Sequence, residues 1–296
     1  MKEPLVSVVM PSYNSEKHIA ESIQSIIDQS FTDWEFIIVD GHSKDKTIDI
    51  VEGFVAKDSR IKLMYDEGKG IGPALNMGCA AAIGKYIARV DTDDISFPER
   101  FSEQVKILLS HPEVVLLSCV AEYIDESGLS LGYGFSYTTE KLIKKNLSTV
   151  FHPGVMMRKE AYMKAGGYPP LKRAEDLFLW HRLCILGKVR IIEYPLIKYR
   201  ISDEALSNGM SEYFTSNVNK LWSVFALKPE LDKEDFEYLN HFIAQNILNN
   251  KVRENPARGI ENSLLNFFRI LLPKKIAFKM VLMFKNLYGF FMPELN

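Results

Sequence analysis

"LVSVVMPSYNSEKHIAESIQSII", residues 5–27, carries two periodicities in succession. Residues 5–10 form a continuous apolar run, rich in valine and closed by Pro11, and read as a strand buried on both faces. From Ser15 the pattern changes. Ile19, Ile23, Ile26 and Ile27 recur at helical spacing and share one face of a helix that Ser15 is placed to cap. A strand without a solvent face needs cover on both sides, so the stretch reads as one strand–helix unit of a layered α/β fold.

The unit recurs. "WEFIIVDG" (34–41) reads as a second buried strand, and "SKDKTIDIVEGFVAK" (43–57) as a helix with Ser43 as its candidate cap. "IKLMY" (61–65) is a third strand, followed by a turn at Gly68, Gly70 and Gly72 and the helix "PALNMGCAAAIG" (73–84). "KYIARVD" (85–91) is a fourth strand, "PERFSEQVKILLS" (98–110) a helix with Pro98 in its first turn, and "EVVLLSC" (113–119) a fifth strand. Repeated alternation predicts a doubly wound, mostly parallel central sheet. Ligands bind such sheets beyond the carboxyl ends of the strands. Polar groups follow three of those ends: Ser12-Tyr13-Asn14, then Asp40, then Asp91 and Asp93.

Beyond Cys119 the pattern changes. A hairpin or loop is expected around Ser127-Gly128, and a strand and short helix in "NLSTVFHPGVMMRKEAYMKAGGY" (146–168). "AEDLFLWHRLCILG" (174–187) reads as an amphipathic helix with Leu177, Trp180, Leu183 and Cys184 on one side, and "VRIIEYPLIKYRIS" (189–202) as a last extended segment. From about residue 210 onward the chain reads as helices only. A boundary near 205–212 separates a catalytic domain (1–205) from an all-helical C-terminal extension (206–296).

Bulk properties exclude some classes. The net charge of −2 gives no global attraction to nucleic acid. Cys79, Cys119 and Cys184 are odd in number, lack metal-ligand spacing and suit a reducing compartment, where they are expected to be buried as small hydrophobes. The N-terminus lacks a signal-peptide pattern, and no run of about 20 apolar residues predicts a membrane span.

The acidic cluster "RVDTDD" (89–94) has three readings. A calcium loop of the helix–loop–helix type fails, because Ser96 and Ser102 stand where that loop needs Gly and Glu. A solvated turn remains open. So does a site for Mg²⁺ or Mn²⁺, held by one or two carboxylates and completed by a substrate diphosphate. Alternation sends Asp91 and Asp93 to one side and Thr92 to the other. Asp40, ending the second strand, is either another turn aspartate or an acceptor for a base N–H or ribose hydroxyl.

"VSVVMPSYN", "SIQSIIDQSF", "FIIVDGHSKDKT", "ALNMG", "GKYIARVDTDD", "HPGVMMRKEAYMKAGGY" and "EDLFLWHRL" together, in this order over residues 4–205, resemble the family 2 glycosyltransferases of the GT-A fold. The resemblance implies that Pro11, Tyr13 and Asp40 bind the nucleotide and that Asn76 lies near the sugar nucleotide. It makes Asp93 the metal ligand and Asp91 the residue nearer the ribose, and it leaves Asp94 without a settled role. Asp176, beside Glu175, becomes the base of an inverting transfer. A metal would neutralise charge on the departing diphosphate, and a carboxylate on the opposite side would take the acceptor proton. Without the resemblance, Glu175-Asp176 reads as an acidic helix N-terminus favoured by the helix dipole.

Other positions carry weaker expectations. His42 departs from the usual family residue and reads as a turn position. Trp180 is core or an acceptor contact, and Arg200 reaches a phosphate or makes a structural ion pair. "KKIAFKMVLMFKNLYGFF" (274–291) places lysines on one side and Ile276, Met280, Met283, Phe284, Leu287, Phe290 and Phe291 on the other. It lies on an anionic membrane, packs on the catalytic domain, or forms a dimer interface. The expected partners are a nucleotide-sugar donor, UDP-linked by preference, and a glycan or lipid-linked glycan acceptor. The expected location is the cytoplasm or the inner face of the cell membrane. A nucleotidyltransferase and a non-catalytic nucleotide- or glycan-binding relative are the alternatives.

Overall fold

A computed structural model of the chain describes residues 3–133, 150–171 and 175–201. The boundary near 205–212 and the segment 274–291 therefore lie outside the described residues. Among the described residues nine strands form one sheet: β1 (Val6–Ser12), β2 (Trp34–Asp40), β3 (Ile61–Tyr65), β4 (Tyr86–Arg89), β5 (Ile95–Ser96), β6 (Val114–Ile124), β7 (Ser130–Tyr133), β8 (Met156–Arg158) and β9 (Lys188–Arg200). The order is β3-β2-β1-β4-β8-β6-β9-β5, with β7 paired to β6. The α-helices among the described residues are α1 (Ile19–Ile27), α2 (Thr47–Val55), α3 (Ile71–Ala81), α4 (Arg100–Ser110), α5 (Lys159–Lys164) and α6 (Glu175–Leu186).

The expected parallel block is β3-β2-β1-β4. Beyond it the sheet is mixed, because β8 runs antiparallel to both β4 and β6, while β6 and β9 are parallel. Each strand of the parallel block divides its apolar residues between two cores. Val9, Ile37, Val39 and Ile87 face Leu75 and Cys79 of α3 and Leu177 and Trp180 of α6. Val8, Met10, Phe36, Ile38 and Ala88 face Ile19, Ile23 and Ile26 of α1, Val51 of α2 and Phe101 of α4. Both faces are therefore covered, which is why these strands read as continuous apolar runs.

Several local expectations are corrected. Pro11 lies inside β1, paired with Val39, and does not end it. The Val90 N–H donates to the Val9 carbonyl on the β4 side and the Gly41 N–H to the Ser12 carbonyl on the β2 side. Alternation puts the missing Pro11 N–H on the β4 side, where β4 has already ended, so no ladder bond is lost. Ser15 does not cap α1 with its side chain. Its carbonyl accepts from His18 and Ile19, while its hydroxyl takes a hydrogen bond from Thr92 at 2.9 Å. Ser43 does not cap α2 but is bound to Asp40. Helix α6 is not one-sided, since Phe178, Leu179 and His181 are buried along with Leu177, Trp180 and Leu183. Cys79 and Cys119 are buried and Cys184 half-buried, and none of the three is in a disulfide.

Gly84 marks a close approach at the start of β4. A Cβ there would stand 2.7 Å from the Ser7 backbone nitrogen and 2.9 Å from the Val6 carbonyl carbon, atoms that cannot rotate away. Gly84→Ala is expected to destabilise the fold by about 1–3 kcal/mol through forced overpacking. The check is a urea midpoint that falls at an unchanged slope.

Candidate active site

The carboxyl edge of the parallel block is built by side chains that tie its loops together. Asp40 is fully buried. Its Oδ2 accepts from the Ser12 and Ser43 hydroxyls, each at 2.7 Å, and its Oδ1 from the Ser43 N–H at 2.7 Å. The Ser43 hydroxyl in turn accepts from the Asn14 N–H at 2.9 Å. The carboxylate is thus held by Ser12 and Ser43, and it joins the loop after β1 to the loop after β2. Tyr13, in contrast, is 61% exposed. Its ring lies over Gly41, where a Cβ would stand 3.5 Å from Tyr13 Cδ2 and 3.6 Å from Asp66 Oδ1. Asp66, buried just after β3, had no visible signal in the sequence beyond its place at a strand end. His42 has φ 63°, as a turn residue should, and stacks on Tyr65 with ring centroids 5.8 Å apart.

Next along the edge lies the acidic cluster. Oxygens of Asp91, Asp93 and Asp94 all fall within 4.8 Å of one another. Burial, and then the Asp91 charge, push Asp93 up to about 6. Burial together with Asp91 and Asp93 holds Asp94 well above the usual carboxylate range. Asp94 Oδ1 accepts the Arg200 N–H at 2.9 Å, but its buried Oδ2 has no partner. Crowded carboxylates with an orphaned buried oxygen fit a bound divalent cation, which would relieve both the repulsion and the unpaired atom. Asp91 is ion-paired with Nη1 of Arg89.

Arg200 is a structural ion pair and is not free for a phosphate. It is 2% exposed and donates to the Asp93 carbonyl (2.9 Å), the Asp125 carbonyl (3.0 Å) and Glu21 (2.7 Å).

Helix α6 brings Glu175 and Asp176 to the same region. Their pKa values respond to both Arg89 and Asp91. Burial, and then Asp176, push Glu175 up to about 7. Asp176 is also raised by burial, opposed by a hydrogen bond from the Leu177 N–H at 2.8 Å. Trp180 is 0% exposed and belongs to the core, so the acceptor contact expected as one of its two readings is ruled out by burial. It packs edge-on against His152, centroids 5.5 Å apart, and His152 Nε2 meets the Tyr168 hydroxyl at 2.8 Å. Burial and the Arg89 charge keep His152 neutral.

Asn76 holds the loop in front of α6. Its Oδ1 accepts from the Tyr162 hydroxyl (2.5 Å) and the Tyr168 N–H (2.9 Å), and its Nδ2 donates to the Tyr168 carbonyl (2.8 Å). Gly167 sits beside it at φ 73°, and a Cβ there would stand 2.8 Å from Asn76 Oδ1. Arg89, His152 and Tyr168 received no role from the sequence. The signal for Arg89 was available, since it is a charged residue ending a strand otherwise buried on both faces.

Residues 7–166 match the family described as glycosyl transferase family 2. The chain belongs to this family. It is 36% identical over 239 residues to an uncharacterized glycosyltransferase of Methanocaldococcus jannaschii, covering 77% of this chain and 80% of the relative. It is 38% identical over 221 residues to the putative glycosyltransferase EpsE of Bacillus subtilis (73% and 80%), and 38% over 235 residues to the putative teichuronic acid biosynthesis glycosyltransferase TuaG of the same organism (75% and 88%). The fold is that of S. aureus TarS 1–349 solved with UDP-GlcNAc, with TM-score 0.62 and 20% identity over 90% of this chain and 81% of that one. It is also that of the mannosyltransferase PcManGT of Pyrobaculum calidifontis solved with GDP-Man and Mn²⁺, with TM-score 0.56 and 16% identity over 98% and 88%. This family 2 member is a GT-A glycosyltransferase with an acidic cluster suited to a divalent cation.

Two outcomes follow from the site's geometry. Asn76→Ala strips partners from the Tyr168 N–H and carbonyl, so a loss of about 1–3 kcal/mol is expected. Hydrogen exchange should quicken at Tyr168 first. Glu175 binds its proton more tightly folded (about 7) than at its ordinary value of 4.5. The stability this contributes is complete below pH 4.5 and is lost as pH rises through about 7. In metal-free protein, Glu175→Gln should therefore flatten the fall of the urea midpoint across that window.

Proposed function

We propose that the chain is an inverting, metal-dependent glycosyltransferase that moves a sugar from a UDP-linked donor to a glycan or lipid-linked glycan during assembly of a cell-surface polysaccharide. The observation that supports this is a pair of separate acidic groups: Asp91, Asp93 and Asp94 crowded together after β4, and Glu175 with Asp176 opening α6, the helix packed on the same layer as Arg89. Inversion needs both, one to face the leaving diphosphate and one to face the incoming hydroxyl.

In this reading Pro11 and the exposed Tyr13 ring line the nucleotide subsite, and Asp91 faces the ribose. Asp40 and Asn76 act by shaping the loops of that subsite. Asp93 holds Mn²⁺ or Mg²⁺, with Asp94 Oδ2 as a further donor atom. The cation supplies neutralisation of charge on the diphosphate. Asp176 accepts the proton of the acceptor hydroxyl as that oxygen bonds to the anomeric carbon and the nucleoside diphosphate leaves with the electron pair of the broken bond. Glu175, largely protonated below pH 7, leaves Asp176 as the ionised member of the pair.

UDP is supported by TarS, solved with UDP-GlcNAc, and Mn²⁺ by PcManGT, although that enzyme was solved with GDP-Man. The polysaccharide setting is supported by the name of TuaG. No helix among the described residues is long and apolar enough to cross a membrane. The basic, apolar pattern of 274–291 supports contact with the inner membrane surface, where a lipid-linked acceptor would lie.

The test is donor turnover with Mn²⁺ across UDP- and GDP-sugars. Chelation should abolish turnover and added Mn²⁺ restore it. Asp176→Asn should lower turnover about 10²–10⁴-fold while UDP binding persists. Asp93→Asn should weaken Mn²⁺-dependent UDP binding. Unchanged turnover in Asp176→Asn would overturn the assignment of the base.

A further inference from the structure

Arg89 ends β4 and is 2% exposed. Strand alternation fixes where its side chain goes. Tyr86, Ala88 and Val90 belong to the core under α1, α2 and α4, whereas Ile87 belongs to the core under α3 and α6. Arg89 therefore enters the layer between β4 and α6, the layer that holds Tyr168, Leu177 and Trp180. Asp91, two residues on, lies on the same side and meets Nη1. The buried Nε has no partner.

A buried guanidinium is costly unless its charge is matched and its donors are used. One carboxylate and an orphaned Nε do not complete that set. Arg89 shares its layer with Leu177 and Trp180 of α6, the helix that opens with Glu175 and Asp176, so it stands on the side of the sheet where the two acidic groups face each other. Among the neighbouring buried arginines, Arg200 is taken up by Glu21 and backbone carbonyls. Arg100 is engaged by Gln104, Ser96 and the carbonyls of Arg89 and Val155.

We propose that Arg89 is a positioning residue for sugar transfer: its Nη1 holds the Asp91 carboxylate toward the donor, and its charge holds the Glu175–Asp176 pair in register with that donor. This rests on the proposed function above and adds to it a single cation through which donor and acceptor sides are coupled. An arginine suits this place because its planar guanidinium has a fixed direction and keeps its charge when buried, whereas a lysine ammonium is a flexible point charge.

The experiment uses the full chain and four variants, Arg89→Met, Arg89→Lys, Asp91→Asn and the double variant Arg89→Met/Asp91→Asn. Binding of UDP with Mn²⁺ is measured by calorimetry. kcat and KM are measured with whichever nucleotide sugar the wild type turns over. Arg89→Met should weaken UDP binding by about tenfold or more, the scale of one charge-assisted hydrogen bond, with Arg89→Lys in between. In the Asp91→Asn background Arg89→Met should change UDP binding less than about twofold, because the path through Asp91 is already cut. kcat should still fall there, because the effect on Glu175–Asp176 does not pass through Asp91. Wild-type binding and kcat in Arg89→Lys would overturn the positioning role, as would independent, multiplying effects of Arg89→Met and Asp91→Asn on UDP binding. Should Arg89→Met fail to fold, the Arg89→Lys result alone decides. A wild type that binds neither UDP nor GDP with Mn²⁺ overturns the proposed donor class itself, an outcome distinct from a variant that matches a binding-competent wild type.

Discussion

Three carboxylates with oxygens within 4.8 Å of one another stand at the rim of an apolar sheet, and three almost fully buried arginines hold them there. Two like charges 4 Å apart repel by about 4 kcal/mol at an effective dielectric of 20, so the cluster would open if nothing opposed it. Arg89 pairs with Asp91. Arg200 donates its N–H to Asp94 and its Nε to the Asp93 carbonyl. Arg100 carries no carboxylate partner, but its hydrogen bonds to the Arg89 and Val155 carbonyls and to Ser96 fix the strand end from below. The arginines supply part of the charge balance that burial demands, and the unpartnered Asp94 Oδ2 leaves the cluster suited to a divalent cation.

Those same contacts tie the mixed half of the sheet to the cluster. Arg200 ends β9, over a hundred residues beyond the cluster, and also grips the carbonyls of the turn after β6 and the Glu21 carboxylate of α1. Val155, just before β8, takes donors from both Arg89 and Arg100. The antiparallel β8 and the long β6–β9 pair thus buttress the acidic rim from the side that the parallel block leaves open. One half of the sheet presents the loops after β1 and β2, and the other half braces the carboxylates through Arg200 and packs against α6.

Much of this was legible. Apolar runs and helical isoleucine spacing found β1 to β4, α1, α2 and the site edge, because buried parallel strands have little freedom in composition. The hairpin around Ser127-Gly128 and the turn position of His42 were also legible. The rest depended on partners distant in sequence. Nothing in "RVDTDD" says that Arg200 will bind Asp94, and a two-residue strand such as β5 has no periodicity to detect. The breadth of burial on α6 was missed because spacing cannot show that neighbouring loops cover a second face.

The motif residues divide into two physical classes that a sequence cannot separate. Asp40 and Asn76 satisfy motif expectations, yet their polar atoms are spent within the protein: Asp40 on Ser12 and Ser43, Asn76 on Tyr162 and Tyr168. Tyr13 and Asp93 instead leave an exposed ring and an under-neutralised carboxylate. Ligand contact requires open surface or unspent charge, and loop shaping requires neither. Chemistry at this edge therefore depends on a rigid inner ring of satisfied polar groups, which keeps the few unsatisfied ones aimed at the space they share. Arg89 lies between the classes, half spent on Asp91 and half unspent at Nε, and that is the position from which one side chain can couple them.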